Sequence, residues 1–265
     1  MNMEIYALME NIPYRQGFAA EHGLSLYIKT ARHRILFDTG QSAAFADNAG
    51  LLGLDLGNVD MLVLSHGHYD HGGGIRRFLE LNDCAPVYLS EYAFGAYYHG
   101  AKKYIGIDPS LEGSSRMVKV KDSLEIGEGL TLYSCNGRSC RCPVDDAGLT
   151  EKKDGVFLPD SFLHEQYLVI RENGIKTVIS GCSHKGILNI MEWFRPDILV
   201  GGFHFMGQEI SEAGNERLDR AAETLLQYDT VYYTCHCTGE AQYRYLKEKM
   251  GDRLHYLASG QKITL

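Results

Sequence analysis

Within Ser65-His66-Gly67-His68-Tyr69-Asp70-His71, three histidines and an aspartate stand inside six residues. Neutral imidazole is a borderline ligand suited to zinc and iron, and a carboxylate adds negative charge and hardness. His66 and His68, two apart on an extended loop, can face the same side. Asp70 and His71 lie further round the turn and can reach a second ion. Two ions about 3.5–4 Å apart would form a binuclear clamp. The bland alternative is a histidine-rich surface turn. Such a turn needs neither the apolar run Met61-Leu62-Val63-Leu64 before it nor the triplet Gly72-Gly73-Gly74 after it. That triplet is expected to let the backbone turn sharply and start a helix close by.

Side chains this crowded need rigid elements behind them. Short apolar runs alternate with helical patterns along the chain. Residues 5–9, 24–29, 35–37, 61–64, 86–89, 117–120 and 130–133 read as strands, the third ending at Asp38. Residues 167–170 and 177–179 read as a hairpin across Glu172-Asn173-Gly174, because Asn-Gly favours a two-residue turn. Residues 198–200 and 231–234 are further strands. Helical patterns cover 42–52, 75–81, 187–194 (stopped by Pro196) and 215–227. Strand-then-helix order in both halves predicts an α+β chain folded as a four-layer αββα sandwich, one domain over 1–265. The ligand motifs then sit at strand ends, where loops converge on one edge.

Two segments read as insertions. Residues 92–104 mix aromatics with His99, Lys102 and Lys103. A partly buried amphipathic helix is the plain expectation, and a pocket for a flat ring and a phosphate the functional one. Residues 135–161 are polar and rich in Gly, Asp and Cys, which predicts an active-site lid or a disordered stretch. Cys135, Cys140 and Cys142 within it would need a fourth ligand to hold zinc.

Composition narrows the function classes. Hydrophobic content of 45% and charged content of 23% are ordinary for a globular protein. A net charge of −8 argues against broad binding to nucleic acid backbones. No apolar run approaches the roughly 20 residues that span a membrane. The first residues show no basic stretch followed by an apolar one, as a secretory leader would. Seven cysteines, an odd number clustered late, suit a reducing compartment better than a disulfide framework, so a cytoplasmic location is expected.

The motif resembles the H-x-H-x-D-H signature of the metallo-β-lactamase-fold superfamily. Support comes from Arg34-Ile35-Leu36-Phe37-Asp38-Thr39-Gly40, Ile179-Ser180-Gly181-Cys182-Ser183-His184 and Thr234-Cys235-His236-Cys237-Thr238-Gly239. With Glu21-His22-Gly23-Leu24-Ser25 and Gly201-Gly202-Phe203-His204 added, the set is similar to one branch, the dihydropterin–ribofuranosylaminobenzene phosphate synthases of the methanopterin pathway. The resemblance implies a metal set of His66, His68, Asp70, His71, Cys182, His184 and His236. His184 would complete a site with His66 and His68. Its rival is His164, upstream of the same hairpin, where superfamily members often take their third histidine. Cys182 stands where much of the superfamily carries a bridging aspartate, and is either a thiolate ligand or a small buried hydrophobe. Cys235 and Cys237 should point away from His236 if the strand stays extended. Asp38 would orient a ligand histidine or hold the motif loop. His204 is read as a substrate contact or proton shuttle, with a structural histidine as the alternative.

The expected enzyme carries one or two divalent ions: zinc first, manganese or iron as alternatives. Three functions remain open. In the first, a binuclear hydrolase acts on a small phosphate- or ester-containing metabolite, with Asp70 placing the water and His204 moving a proton. In the second, implied by the branch, a transferase condenses a dihydropterin-methyl diphosphate with an aminobenzene ribofuranosyl phosphate, with Lys102 or Lys103 on phosphate. The third is a non-catalytic, metal-dependent sensor. The expected partner is a small molecule, with neither nucleic acid nor membrane, and self-association stays open.

Overall fold

In a computed structural model, which describes residues 3–145 and 147–265, the apolar runs pair into two seven-stranded mixed sheets. The first has the order Lys262–Thr264, Glu4–Met9, Ser25–Lys29, Arg34–Phe37, Met61–Val63, Val87–Ser90, Met117–Val120. The second runs Leu254–Tyr256, Val231–Thr234, Ile198–Val200, Ile175–Ile179, Tyr167–Glu172, Leu130–Tyr133, Ser123–Gly127.

Strand periodicity sorts the side chains into layers. Ile35 and Phe37 point inward and, with Leu26, Ile28 and Val63, meet Leu132, Leu168, Ile170 and Val200 of the opposite sheet. Leu36 and Leu62 point outward, onto Phe45, Ile75 and Phe78 of helices Ala44–Leu51 and Ile75–Leu81. Val178, Leu199 and Tyr232 point outward on the other side, under Ile190, Leu218 and Leu246 of helices Ile187–Phe194, Glu216–Leu225 and Glu240–Met250. These are the helix, sheet, sheet and helix layers expected. The strands are apolar at nearly every position because both faces are covered. The hairpin also forms as expected, with Asn173 at φ +52° and Gly174 at φ +81°.

The two insertions correct the expectation. Residues 92–104 form no helix. They carry strands Tyr97–His99 and Lys103–Tyr104, which join Leu149–Lys153 and Val156–Pro159, from the supposed lid, in a small four-stranded sheet. Tyr98 packs edge-on against Tyr104 and Phe157, at centroid distances of 5.4 and 5.1 Å. Cross-strand aromatic pairs of this kind stabilise the sheet. Its inner face, with Tyr97, Ile105, Leu149 and Phe162 buried, closes over Tyr69 of the histidine loop. Helix Glu240–Met250 and the strands Leu254–Tyr256 and Lys262–Thr264 are elements that the periodicity did not reveal.

Parallel pairing from Arg34–Phe37 through Met117–Val120, and from Ile175–Ile179 through Leu254–Tyr256, sends the carboxyl ends of these strands to common edges. Loops beyond strand carboxyl ends are where ligands bind in such sheets. Asp38, the Ser65–His71 loop, Cys182 to His184, His204 and His236 all follow strands of this kind.

The glycine triplet works by close approach and not by turning. Gly73 and Gly74 have helical φ values of −64° and −84°. A Cβ on Gly73 would lie 2.3 Å from the Gln41 carbonyl oxygen, and one on Gly74 2.5 Å from that of Thr39. Gly73→Ala therefore pushes backbone against backbone. We expect it to destabilise the fold by about 1–3 kcal/mol, read as a lowered urea midpoint at unchanged slope.

Candidate metal centre

Left-handed residues turn the chain at the ends of the ligand strands. Asp38, Ser183, His204 and His236 have φ of +60°, +60°, +56° and +47°. Backbone in this region is costly for residues other than glycine and clusters at functional sites. The loops so formed bring His66, His68 and His184 into one group and His22, Asp70 and His236 into another. His71 stands between them, with its Nε2 3.3 Å from His236 Nε2 and 3.7 Å from Asp70 Oδ2. Cys182 Sγ lies 3.1 Å from the same nitrogen and groups with His66 and His71.

Buried acceptors fix how these rings face. Asp38 Oδ2 accepts from the Ser65 hydroxyl at 2.7 Å and from His71 Nδ1–H at 2.6 Å. Asp38 Oδ1 accepts from the Ser65 amide at 2.7 Å. Having donated to Asp38, Ser65 Oγ can only accept from His66 Nδ1–H, 2.8 Å away. Asn11 Oδ1 accepts from His236 Nδ1–H at 2.8 Å and from the Gly23 amide at 3.4 Å, and Asn11 Nδ2 donates to the His236 carbonyl at 3.3 Å. His66, His71 and His236 therefore all carry their proton on Nδ1 and aim the Nε2 lone pair inward. His66 Nε2 meets His184 Nε2 at 3.2 Å. Lone pairs facing one another at such distances repel unless a cation lies among them. Zinc bonds of about 2.0–2.2 Å at tetrahedral angles place ligand atoms about 3.3–3.6 Å apart. The residues thus fit the metals that the fold implies.

Two further buried carboxylates hold the loops. Glu10 Oε1 accepts from the His236 amide at 2.6 Å and the Tyr256 hydroxyl at 2.7 Å. Glu165 accepts from the amides of His184 and Lys185 at 2.6 and 2.9 Å and from the Tyr167 hydroxyl at 2.6 Å. Burial pushes both carboxyls above their ordinary pKa.

His164 is placed differently. Its Nδ1 accepts from the Gly67 amide at 2.9 Å, so its other nitrogen carries the proton and donates to Asp160 at 3.1 Å. With no lone pair left over, it holds the loop between His66 and His68, although it lies close to His68. His204 sits with its ring 4.4 Å from that of His184, on the wall of a cavity of about 630 Å³ that Arg217 and Arg220 also line. Lys103 Nζ donates to the Tyr69 hydroxyl at 3.2 Å. The extended-strand expectation for Cys235 and Cys237 is half corrected. Cys235 packs in the inner core, but the turn His236–Thr238 swings Cys237 Sγ to 3.3 Å from the Cys182 carbonyl. Among the described residues Cys135, Cys140 and Cys142 form no metal-ligating group.

The electrostatics keep His66 and His184 neutral and Asp70 charged. Burial, then the neighbouring histidines, pushes His66 and His184 well below the usual histidine range. Burial opposes charge on Asp70, but His71 and His236 outweigh it and hold its carboxyl far below the ordinary value. His71 is the exception: Asp38 and Asp70 overcome its burial and raise its pKa. In the sequence His22 stands out only within the branch motif, yet its Nε2 lies 3.4 Å from Asp70 Oδ2. Glu10, Asn11 and Glu165 gave no local signal at all.

The chain is similar to several known proteins. The family described as the metallo-beta-lactamase superfamily matches residues 20–138. An uncharacterized protein of Methanocaldococcus jannaschii, MJ0448, is 31% identical over 89% of the chain and 90% of its own length. The 7,8-dihydropterin-6-methyl-4-(beta-D-ribofuranosyl)-aminobenzene-5'-phosphate synthase of the same organism is 28% identical over 96% of the chain and 95% of its own length. The crystal structure of Tm1679, described as a metal-dependent hydrolase of the beta-lactamase superfamily, superposes with a TM-score of 0.83 at 30% identity, over 99% of both chains.

If Asp38 sets the His71 tautomer, Asp38→Asn leaves the ring in competition with an amide N–H. We expect zinc affinity to fall about 10–100-fold, measured by competition with a chromophoric chelator. An unchanged affinity would remove this orienting role.

Proposed function

Because this chain belongs to the metallo-β-lactamase superfamily and gathers two adjoining sets of metal-ligating side chains at one edge, we propose that it is a two-ion hydrolase of small phosphate- or ester-containing molecules. The observation that carries this reading is the convergence of the His66, His71 and His236 lone pairs on one volume, beside His184, Asp70 and Cys182. The ligands would be His66, His68 and His184 for one ion, and Asp70, His71 and His236 for the other, with Cys182 at the seam. Zinc suits this imidazole, carboxylate and thiol set. Such ions supply Lewis acidity toward a substrate oxygen and lower the pKa of water.

The remaining roles fall to the chain itself. Asp70, ionised and with Oδ2 3.3 Å from His236 Nε2, orients the attacking water. The cavity beside His184 receives the substrate, with Phe203 and Phe205 as apolar wall. Arg217 and Arg220, now paired with Asp145 and Glu216 at the surface, are placed to hold an anionic group. Exposed pairs of this kind exchange partners at little cost. Burial pushes the His204 pKa down to about 4. A neutral imidazole has one N–H and one lone pair, so His204 can deliver a proton to a leaving oxygen while taking one up on its other side. All seven cysteines are free thiols, which fits a reducing compartment such as the cytoplasm.

Full-length similarity to the synthase favours a second reading, condensation of a pterin-methyl diphosphate with an arylamine. A panel of phosphodiesters, diphosphates, lactones and thioesters, with and without an arylamine acceptor, separates the two. We expect zinc-loaded protein to turn over at least one ester with water alone, and Asp70→Ala to abolish it. Turnover that requires the arylamine would replace hydrolysis with condensation. His204→Ala should lower kcat about 10²–10⁴-fold for alkoxide leaving groups and far less for nitrophenolate, which needs no proton. Equal losses for both would end the proton-relay role.

A further inference from the structure

The segment Glu21-His22-Gly23-Leu24 is pinned at every residue except the side chain of His22. The Glu21 carboxylate accepts from the amides of Gln41 and Ser42 at 3.1 and 3.0 Å and from the Ser42 hydroxyl at 2.7 Å. The Leu24 amide donates to the Asp70 carbonyl at 3.2 Å. Gly23, at φ +157°, lies so close beneath that carbonyl that a Cβ would be 2.5 Å from it. Asn11 Oδ1, which fixes the His236 ring, accepts from the Gly23 amide as well. One side chain therefore positions both His236 and the loop that carries His22.

Held this way, the His22 ring sits 4.6 Å from the His236 ring, and its Nε2 lies 3.4 Å from Asp70 Oδ2. Asp70 Oδ2 is in turn 3.3 Å from His236 Nε2 and 3.7 Å from His71 Nε2, and the two histidine nitrogens are 3.3 Å apart. These four nitrogen and oxygen spacings, of the six edges of a tetrahedron, lie within about 0.1 Å of the 3.3–3.6 Å that tetrahedral zinc bonds require.

We propose that His22 is a fourth protein ligand, with Asp70, His71 and His236, to the second ion of the two-ion site on which the preceding reading rests. The two ions then differ. The second has four protein donors and a closed sphere, as structural zinc does. The first has His66, His68 and His184 and keeps the open position of a catalytic ion. Substrate and water would therefore approach the first ion, on the side where His204 and the cavity lie, while the second ion holds the Asp70 loop in place.

The test compares wild type, His22→Ala and His22→Gln. Each is loaded with zinc and measured for metal per chain and for affinity against a chromophoric chelator. Each is then loaded with cobalt(II) and its visible absorption recorded. His22 is half-exposed, with 50% of its side-chain surface accessible, so the variants should fold. We expect two ions in wild type. In both variants one ion should bind at least about tenfold more weakly and the other unchanged. Cobalt absorption should also drop, as water replaces the imidazole and coordination rises above four. Wild-type affinity and spectrum in His22→Ala would overturn the assignment. So would full recovery in His22→Gln, which can hydrogen-bond Asp70 but cannot ligate zinc in place of imidazole. A wild type that binds a single ion, unaffected by His22→Ala, would overturn both this assignment and the two-ion reading. Loss of one ion in the variants, in a protein that hydrolyses no ester, would support the His22 assignment and sink the hydrolase alone.

Discussion

Three buried imidazoles, His66, His71 and His236, are forced to turn their lone pairs on one small volume, and much of the surrounding structure serves that constraint. Left to themselves, the rings would rotate or take up protons. Rotation is closed to both His66 and His236. Each Nδ1–H is spent on a partner that is itself fixed, Ser65 for one and Asn11 for the other, and burial disfavours a second proton on His66. His71 is held by Asp38, which together with Asp70 overcomes burial and raises its pKa. Its position between the two ligand groups makes Asp38 the side chain on which both depend.

The cost of this arrangement is met by the sandwich. Unfavourable lone-pair contacts and left-handed residues at Asp38, Ser183, His204 and His236 persist only where the surroundings over-determine them. The surroundings here are parallel strands covered on both faces, whose carboxyl ends cannot shift without opening the inner core. Glu10, Asp38 and Glu165 then tie separate loops by their amides, each as a buried acceptor with its hydrogen bonds filled. The small third sheet adds a roof, with the Tyr69 amide bonded to the Ile105 carbonyl at 2.8 Å.

The resulting site is asymmetric in access. The cavity with Arg217 and Arg220 lies on the His184 and His204 side, while His22, Asp70 and His236 face the loop at Glu21 to Leu24. On the two-ion reading proposed above, these different surroundings would give one edge of the fold both a reacting position and an anchoring one.

Most of the candidate metal-ligating residues and the layer order were legible in the chain. His66, His68, Asp70 and His71 lie within one loop, and strand or helix periodicity is a local property. The Ile175–Ile179 hairpin and helix Ile187–Phe194 were readable for the same reason. Tertiary structure decided the rest because the deciding contacts are remote in sequence. Gly67 takes up the Nδ1 of His164 from 97 residues away, and so leaves His184 to join His66 and His68. Glu10 grips the His236 amide across 226 residues, and Asn11 the His236 ring across 225. The strands of residues 92–104 and 149–159 formed only by pairing with each other. The sequence by itself determined which side chains have metal chemistry. The fold decided which nitrogen of each ring faces inward and that His22 stands among them, because tautomer and distance are set by buried partners that local spacing does not encode.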